Sequence, residues 1–147
     1  MITWSCKNFI DLTNEELYKI LQLRNEVFVV EQNCPYQDCD DKDQYCFHLM
    51  GWHKGMLVAY SRLLPPGIAF KGPSIGRVVT SPAVRRSGIG RELMMTAIEH
   101  IHKLFGEHPI TIGAQLYLKN FYESLGFNKI SDIYLEDGIE HIKMLLK

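Results

Sequence analysis

An arginine- and glycine-rich loop in the middle of the chain has the residue types that bind an anion. Residues 85–90 read RRSGIG and follow a β-rich apolar run at residues 75–80. From Ile89 onward, apolar residues recur every three or four positions as far as Leu104, as they do on one face of a helix. A glycine-containing turn between a strand and a helix directs backbone N–H groups and the positive end of the helix dipole toward one point, which suits a phosphate.

The loop is a candidate pyrophosphate site, although it matches neither of two common phosphate-binding motifs. Gly88 and Gly90 permit a close approach of the backbone and a positive φ where one is needed. Arg85, Arg86 and Arg91 add positive charge beside them. No Gly-Lys-Ser/Thr follows, as it does in a Walker loop, and the third glycine of a Rossmann fingerprint is missing. The alternative is a tight strand-to-helix turn with a solvated arginine cluster.

Several segments resemble a known family. Residues 85–90 resemble the R/Q-x-x-G-x-G/A acyl-CoA signature of the GNAT superfamily of N-acetyltransferases. A second superfamily motif, FYExLGF, is matched by residues 120–127, which read NFYESLGF. Residues 23–38, 48–52 and 112–115 resemble the ElaA-type subfamily. The resemblance covers nearly the whole chain.

This resemblance implies a fold and a cosubstrate. The expected fold is a single α/β GNAT domain over residues 1–147, with a mixed, mostly antiparallel, twisted sheet of about six to seven strands and helices on both faces. The expected cosubstrate is acetyl-CoA. The cofactor-binding positions carried over by the motifs are Val78, Val79, Thr80, Arg85, Arg86, Ser87, Gly88, Ile89, Gly90, Arg91, Asn120 and Tyr122.

Transfer of an acetyl group from a thioester to an amine requires stabilisation of an oxyanion and a proton for the departing thiolate. A backbone N–H group near Val79 would serve the oxyanion. Tyr122 lies where the superfamily has its usual general acid, and a phenol is neutral at pH 7 and able to donate. The alternative is that Tyr122 is a half-buried helix tyrosine that only packs or contacts the sulfur.

The acceptor amine must also lose a proton, because an alkyl amine is mostly ammonium at pH 7. The candidates for this step are Glu31, His48 and, as a water holder only, Gln115. A lone strand histidine such as His48 is more often structural, whereas Glu31 lies where the first helix opens into an acidic loop. Arg24 lies on the apolar face of that helix. It either extends its charged end to the solvent or pairs with Glu26 or an acidic loop residue, or it shapes the acceptor site. Arg24, Glu31 and Gln115 are the candidate substrate-binding residues.

The order of the predicted elements agrees with a mixed α/β domain. A capping box at Thr13–Glu16 starts a helix that continues to about Val30. The acidic segment 31–45 is either a solvated loop or a wall that favours a cationic amine. The other predicted strands are 2–4, 46–53, 56–64, 110–115, 129–135 and 140–146, with a short helix at 117–125. The order ββ, βα, βα, ββ implies helices on both faces of a mixed sheet.

Composition excludes several classes of protein. The chain has 147 residues, a net charge of −1 and 46% hydrophobic residues, which is typical of one globular domain and gives no basic excess for nucleic acid or an anionic membrane. No apolar run approaches the roughly 18 residues of a membrane span, and the N-terminal residues do not resemble a signal peptide, so a cytoplasmic location is expected. Cys34, Cys39, Cys46 and His48 match no common zinc spacing, and the reaction needs no metal.

The sequence therefore favours an acetyl-CoA-dependent N-acetyltransferase that acts on a primary amine, of a small molecule or of a lysine or peptide, by direct attack in a ternary complex. One alternative is a non-catalytic acyl-CoA sensor module. Another is an acyltransferase like the acyl-homoserine-lactone synthases, which Arg24-x-x-Val27-Phe28 resembles and which would use S-adenosylmethionine; that family lacks the clean R-x-x-G-x-G loop. Exposed sheet edges make a homodimer possible.

Overall fold

The first helix begins at the predicted capping box. In the computed structural model, which describes residues 1–147, Glu16 N donates to Thr13 Oγ1 at 3.0 Å, and Thr13 N donates to Glu16 Oε1 at 2.8 Å. Helix α1 spans Asn14–Arg24 and then widens into a π-helical segment, Asn25–Glu31. The helical path thus reaches the predicted end, but its last seven residues form a wider helix than an α-helix. Such insertions frequently occur at functional sites.

The strands form two sheets. The elements are β1 Thr3–Asn8, β2 Phe47–His53, β3 Met56–Leu64, β4 Ser74–Thr80, α2 Ile89–Phe105, β5 Ile110–Gln115, α3 Lys119–Glu123, β6 Asn128–Lys129, β7 Tyr134–Glu136 and β8 Ile139–Leu146. The first sheet has the order β1-β2-β3-β4, and in the second β8 pairs with β5, β6 and β7. All pairs are antiparallel. The α/β fold class is confirmed, with eight strands instead of the expected six or seven.

The division into two sheets opens the molecule between β4 and β5. Thr111 N donates to Pro73 O at 3.2 Å, which joins the beginnings of the two strands. Beyond that point the strands share no ladder, and both line one cleft. A strand pair that separates in this way exposes backbone groups and side chains to a ligand, because no neighbouring strand covers them.

The helices cover both faces of the first sheet, as predicted. Strand side chains alternate between the faces, so neighbouring residues of β2 and β3 join different clusters. Residues packed with α1 and the π-helical segment are Met50, Tyr60 and Val79. Residues packed with α2 are Leu49, Ala59, Leu63 and Ile75. No helix of the chain combines the length and the apolar character that crossing a bilayer requires.

Strand β4 contains a bulge that the sequence does not indicate. Tyr60 is opposite Val79 and Arg62 is opposite Gly76, so β4 uses one more residue than β3 between these pairs. Arg77, inside the bulge, has a φ of 49°. A positive φ in a residue other than glycine costs about 1–3 kcal/mol and persists only where the surroundings enforce it. A bulge also frees backbone groups from the ladder.

Candidate active site

The cleft between β4 and β5 is a cavity of about 640 Å³. One side is formed by Ile75–Thr80 of β4, the other by Ile112, Gly113 and Gln115 of β5. The π-helical segment, the turn between β7 and β8, and residues of α3 and the turn before it complete the walls. No group of three or more His, Cys, Asp or Glu side chains is arranged to hold a metal ion.

The predicted phosphate loop lies at one end of this cleft. Gly88 caps α2 with a φ of 82°, a left-handed conformation that glycine adopts without steric cost. Of the predicted cofactor-binding residues, those that line the cleft are Val78, Val79, Thr80, Arg85, Gly90 and Tyr122. Those that do not line it are Arg86, Ser87, Gly88, Ile89, Arg91 and Asn120. Arg91 donates to Ser124 Oγ at 3.1 Å, which ties the start of α2 to the end of α3.

Arg85 and Glu31 form an ion pair across the cleft. Both guanidinium NH groups donate to the carboxylate, each at 2.6 Å. Hydrogen bonding to Arg85 lowers the pKa of Glu31, and the same bond raises the pKa of Arg85. A carboxylate with a lowered pKa and a bidentate partner is a weak proton acceptor. The structure therefore presents Glu31 chiefly as the counter-ion of Arg85.

Tyr122 lies on α3 with its ring buried, and the side chain lines the cleft. The rings of Phe121 and Phe127 pack edge-on against it, with centroid distances of 5.2 and 5.9 Å. Burial raises the pKa of Tyr122, so the phenol is neutral at pH 7. Its hydroxyl makes no hydrogen bond within the chain, which leaves the group available to a ligand.

His48, a candidate base, lies in the core instead of the cleft. Its Nε2 is 2.9 Å from the Asp43 carbonyl oxygen, and its Nδ1 is 2.7 Å from the Tyr60 hydroxyl. A carbonyl only accepts, so Nε2 carries the proton and Nδ1 accepts from Tyr60. Burial lowers the pKa of His48. With both ring nitrogens in use and no contact with the cleft, His48 has no free lone pair for a substrate.

Arg24 is also in the core, fully buried. Its Nε donates to Asp38 Oδ2 at 2.7 Å, and its NH1 donates to Asp43 Oδ1 at 2.8 Å. The predicted pairing with an acidic loop residue is thus confirmed. Arg24 does not line the cleft, and the structure gives it no contact with an acceptor.

Three aspartates of the acidic segment after α1, Asp38, Asp40 and Asp43, are paired with arginines. Arg62 NH1 lies 2.7 Å from Asp40 Oδ1 and 3.0 Å from Asp43 Oδ1. Arg77 Nε lies 2.8 Å from Asp38 Oδ1, and its NH2 lies 3.3 Å from Asp40 Oδ2. Burial would raise the pKa of Asp40, but bonding to Arg62 and the charges of both arginines lower it. Because these carboxylates are already paired, they are not available to bind a cationic amine. Asp38 and Asp40 instead hold Arg77 in the bulge.

The other polar wall of the cleft contains residues that the sequence did not single out. His141 of β8 and Glu136 of β7 both line the cleft, with His141 Nε2 3.6 Å from Glu136 Oε2. The Tyr134 ring stacks on the imidazole at a centroid distance of 5.8 Å. No motif contains His141, and the sequence indicated only that it lies on the predicted strand at residues 140–146. The predicted Gln115 lines the cleft and exchanges weak amide hydrogen bonds of 3.3 and 3.4 Å with Gln32.

Comparison with known proteins identifies the family. A family model for the acetyltransferase (GNAT) domain matches residues 10–147. The chain therefore belongs to the GNAT acetyltransferase family. It is 43% identical to the protein ElaA of Escherichia coli (strain K12) over 146 residues, which cover 98% of this chain and 95% of ElaA. The predicted family and its ElaA-type subfamily are confirmed.

Solved structures agree with this assignment. An acyl-CoA N-acyltransferase from Pseudomonas aeruginosa is 45% identical, with a TM-score of 0.95 and complete coverage of both chains. The crystal structure of Escherichia coli ElaA is 42% identical, with a TM-score of 0.93 and complete coverage of both chains. An aminoglycoside 6'-N-acetyltransferase complexed with coenzyme A has a TM-score of 0.71 at 16% identity, covering 96% of this chain and 95% of that one, and it shares the fold alone.

Proposed function

We propose that this protein is an acetyl-CoA-dependent N-acetyltransferase that acetylates a primary amine of a small molecule, a peptide or a lysine side chain. Tyr122 carries the proposal. Its hydroxyl reaches the cleft between a bulged strand and an R-x-x-G-x-G loop, without a hydrogen-bond partner in the chain. The hydroxyl is not one of the buried side-chain atoms that lack a partner, so it is accessible from the cleft, where a ligand can bond to it.

The cosubstrate would lie along β4 with its pyrophosphate at the loop. Arg85 and Gly90 line that end of the cleft, and the resemblance assigns the backbone of Val78–Thr80 to the pantetheine arm. Arg85 would exchange its carboxylate partner Glu31 for the pyrophosphate, which offers the same bidentate geometry. Coenzyme A is the ligand of the distant aminoglycoside acetyltransferase that shares this fold.

Direct attack by the amine would require three catalytic contributions from the protein. Backbone N–H groups freed by the bulge would stabilise the oxyanion formed at the thioester carbonyl. Collapse of the intermediate breaks the C–S bond, and the thiolate takes a proton from the Tyr122 hydroxyl. Burial raises the pKa of Tyr122 and so keeps its hydroxyl protonated at neutral pH, which leaves a proton in place when the C–S bond breaks. The third contribution is removal of the amine's proton.

Thermal denaturation with acetyl-CoA, free CoA or S-adenosylmethionine, together with the Tyr122→Phe variant, tests this proposal. A ligand at a hundred times its Kd stabilises by about 2.7 kcal/mol, which raises Tm by roughly 5–10 °C in a chain of this length. We expect that rise with both CoA compounds, in the wild type and in Tyr122→Phe. Turnover of the variant, measured by thiol release, should fall by about 10²-fold, the lower end for general acid catalysis.

The other outcomes contradict the proposal in distinct ways. No rise in Tm with either CoA compound would rule out the acetyltransferase, and a rise with S-adenosylmethionine alone would favour the synthase-like alternative. CoA binding without thiol release would indicate a sensor module. Full turnover in Tyr122→Phe would remove the tyrosine from the mechanism. The matched control is Tyr18→Phe, which removes the same hydroxyl from an exposed tyrosine on α1 and should alter neither measurement.

A further inference from the structure

The cleft contains a second buried polar side chain with an unused polar atom. His141 is only 7% exposed, yet it lines the cleft. Its Nδ1 is 2.8 Å from the Ile139 carbonyl oxygen, which can only accept, so in the neutral ring Nδ1 carries the proton. Nε2 then has a lone pair, and its nearest charged neighbour, Glu136 Oε2, is 3.6 Å away, beyond hydrogen-bond distance. This lone pair is free to accept a proton from a ligand.

The charges that line the cleft indicate the kind of ligand. Arg85 and Glu31 neutralise each other, and Arg77 is neutralised by two aspartates outside the cleft. Glu136 and Asp137 remain, and neither is paired with a lysine or an arginine. The wall that contains His141 is therefore negative, and it favours a substrate that arrives as a cation.

We propose that His141 is the proton acceptor for the amine and that Glu136 binds the ammonium form of the same substrate. This inference rests on the proposed acetyltransferase function. The ammonium group gives one proton to His141 Nε2, and its nitrogen regains a lone pair. That lone pair forms the C–N bond at the thioester carbonyl, the C–S bond breaks, and the thiolate takes its proton from Tyr122. The second proton, which the nitrogen loses as it becomes an amide, restores the Tyr122 hydroxyl. Glu136 then stabilises the imidazolium that has formed.

The groups around His141 suit this exchange. Tyr134 and Glu136 face it from β7, and Asp137 lines the same wall from the turn. Gln115, its register partner on β5, is uncharged. A carboxylate within 4 Å stabilises the imidazolium, whereas stacking on Tyr134 and the Nδ1 bond fix the ring orientation.

A matched pair of amines separates proton removal from a structural role. Ethylamine is an ammonium ion at pH 7, whereas 2,2,2-trifluoroethylamine has a similar shape and is largely neutral, because fluorine withdraws electrons. We expect the His141→Gln variant to lose about 10²-fold in kcat/KM for ethylamine, as removal of a general base does. It should lose less than about threefold for the fluorinated amine. In the wild type the ethylamine rate should level off once the base is deprotonated, whereas in the variant, which depends on free amine, the rate should keep rising with pH as the free-amine fraction grows.

Glu136→Gln should raise KM for ethylamine severalfold and lower kcat less than His141→Gln does, because it removes the partner of the ammonium and the counter-ion of the imidazolium but leaves the proton acceptor; Glu140→Gln is the matched control. Glu140 is exposed on the same strand as His141 and does not line the cleft. A direct readout independent of turnover is the tautomer of His141, which two-bond nitrogen–hydrogen NMR correlations should identify as Nδ1–H.

The proposal is overturned if His141→Gln keeps the wild-type kcat/KM for ethylamine, or if its kcat/KM falls by the same factor for both amines. It is also overturned if the NMR correlations show an Nε2–H tautomer. If acetyl-CoA raises Tm but neither amine supports thiol release in the wild type, the assigned acceptor class is wrong while the acyl-CoA site remains. Absence of the Tm rise would instead overturn the acetyltransferase function itself.

Discussion

His48 and His141 are both strand histidines with little exposed surface, and they differ in how their ring nitrogens are used. His48 is fully buried and bonds through both nitrogens, to Tyr60 and to the Asp43 carbonyl. His141 is 7% exposed and bonds through Nδ1 alone. Burial therefore does not distinguish a structural histidine from a reactive one. The number of satisfied nitrogens does, because a proton acceptor needs a free lone pair.

The carboxylates around the two histidines differ in the same way. Near His48, Asp38, Asp40 and Asp43 are all paired with arginines. Near His141, Glu136 has only the histidine as a partner, at 3.6 Å. One cluster is closed and supports the fold, and the other is open to the cleft. If this distinction is correct, changes in the first should alter stability, and changes in the second should alter turnover.

The largest expected effect is on the closed cluster. Asp43→Ala removes one carboxylate that Arg24 and Arg62 share, at 2.8 and 3.0 Å, and leaves buried guanidinium groups short of a partner. Breaking a buried ion pair typically costs about 3–5 kcal/mol. We expect a loss of about 3 kcal/mol in the free energy of unfolding, measured by urea denaturation. Asp132→Ala, at an exposed site, is the control. Equal stability of the two variants would contradict the claim that the paired cluster stabilises the fold.

A smaller effect is expected from the closed histidine. His48→Leu leaves the Tyr60 hydroxyl and the Asp43 carbonyl without their partner, which costs about 1–3 kcal/mol for a buried group. Turnover per folded molecule should stay within about twofold of the wild type. His141→Gln should show the reverse: a loss of only about 1 kcal/mol in the free energy of unfolding, for the one hydrogen bond to the Ile139 carbonyl, and a large loss of turnover. If folded His48→Leu lost turnover, His48 would not be purely structural, and the proposed difference between the two histidines would be wrong.

Features set by neighbouring residues in the sequence were predicted better than features set by contacts between distant residues. The capping box, the R-x-x-G-x-G loop and the NFYESLGF helix are local patterns, and each forms where it was expected. The pairing of Arg24 with an acidic loop residue was one of two predicted outcomes, because a buried arginine needs a partner.

Other features depend on contacts between distant residues. The β4 bulge is enforced by Arg77 binding Asp38 and Asp40, almost forty positions earlier in the chain. His141 becomes part of the cleft only because β4 and β5 separate. Nothing in the residues around it indicates that separation, so the sequence offered Glu31, His48 and Gln115 as candidates for proton removal and did not single out His141.

Glu31 and Arg85 form an intermediate case, since they are paired like the closed cluster but lie in the cleft. If Arg85 binds the pyrophosphate, Glu31 competes with the ligand for it. Glu31→Gln should then lower the Kd for CoA by about two- to fivefold, the range for an exposed ion pair, with less effect at high salt. Isothermal titration against Glu107→Gln, which alters an exposed carboxylate without a salt-bridge partner, measures this difference. Weaker CoA binding would mean that Glu31 supports the site, and a loss of turnover at saturating acetyl-CoA would restore Glu31 as the base in place of His141.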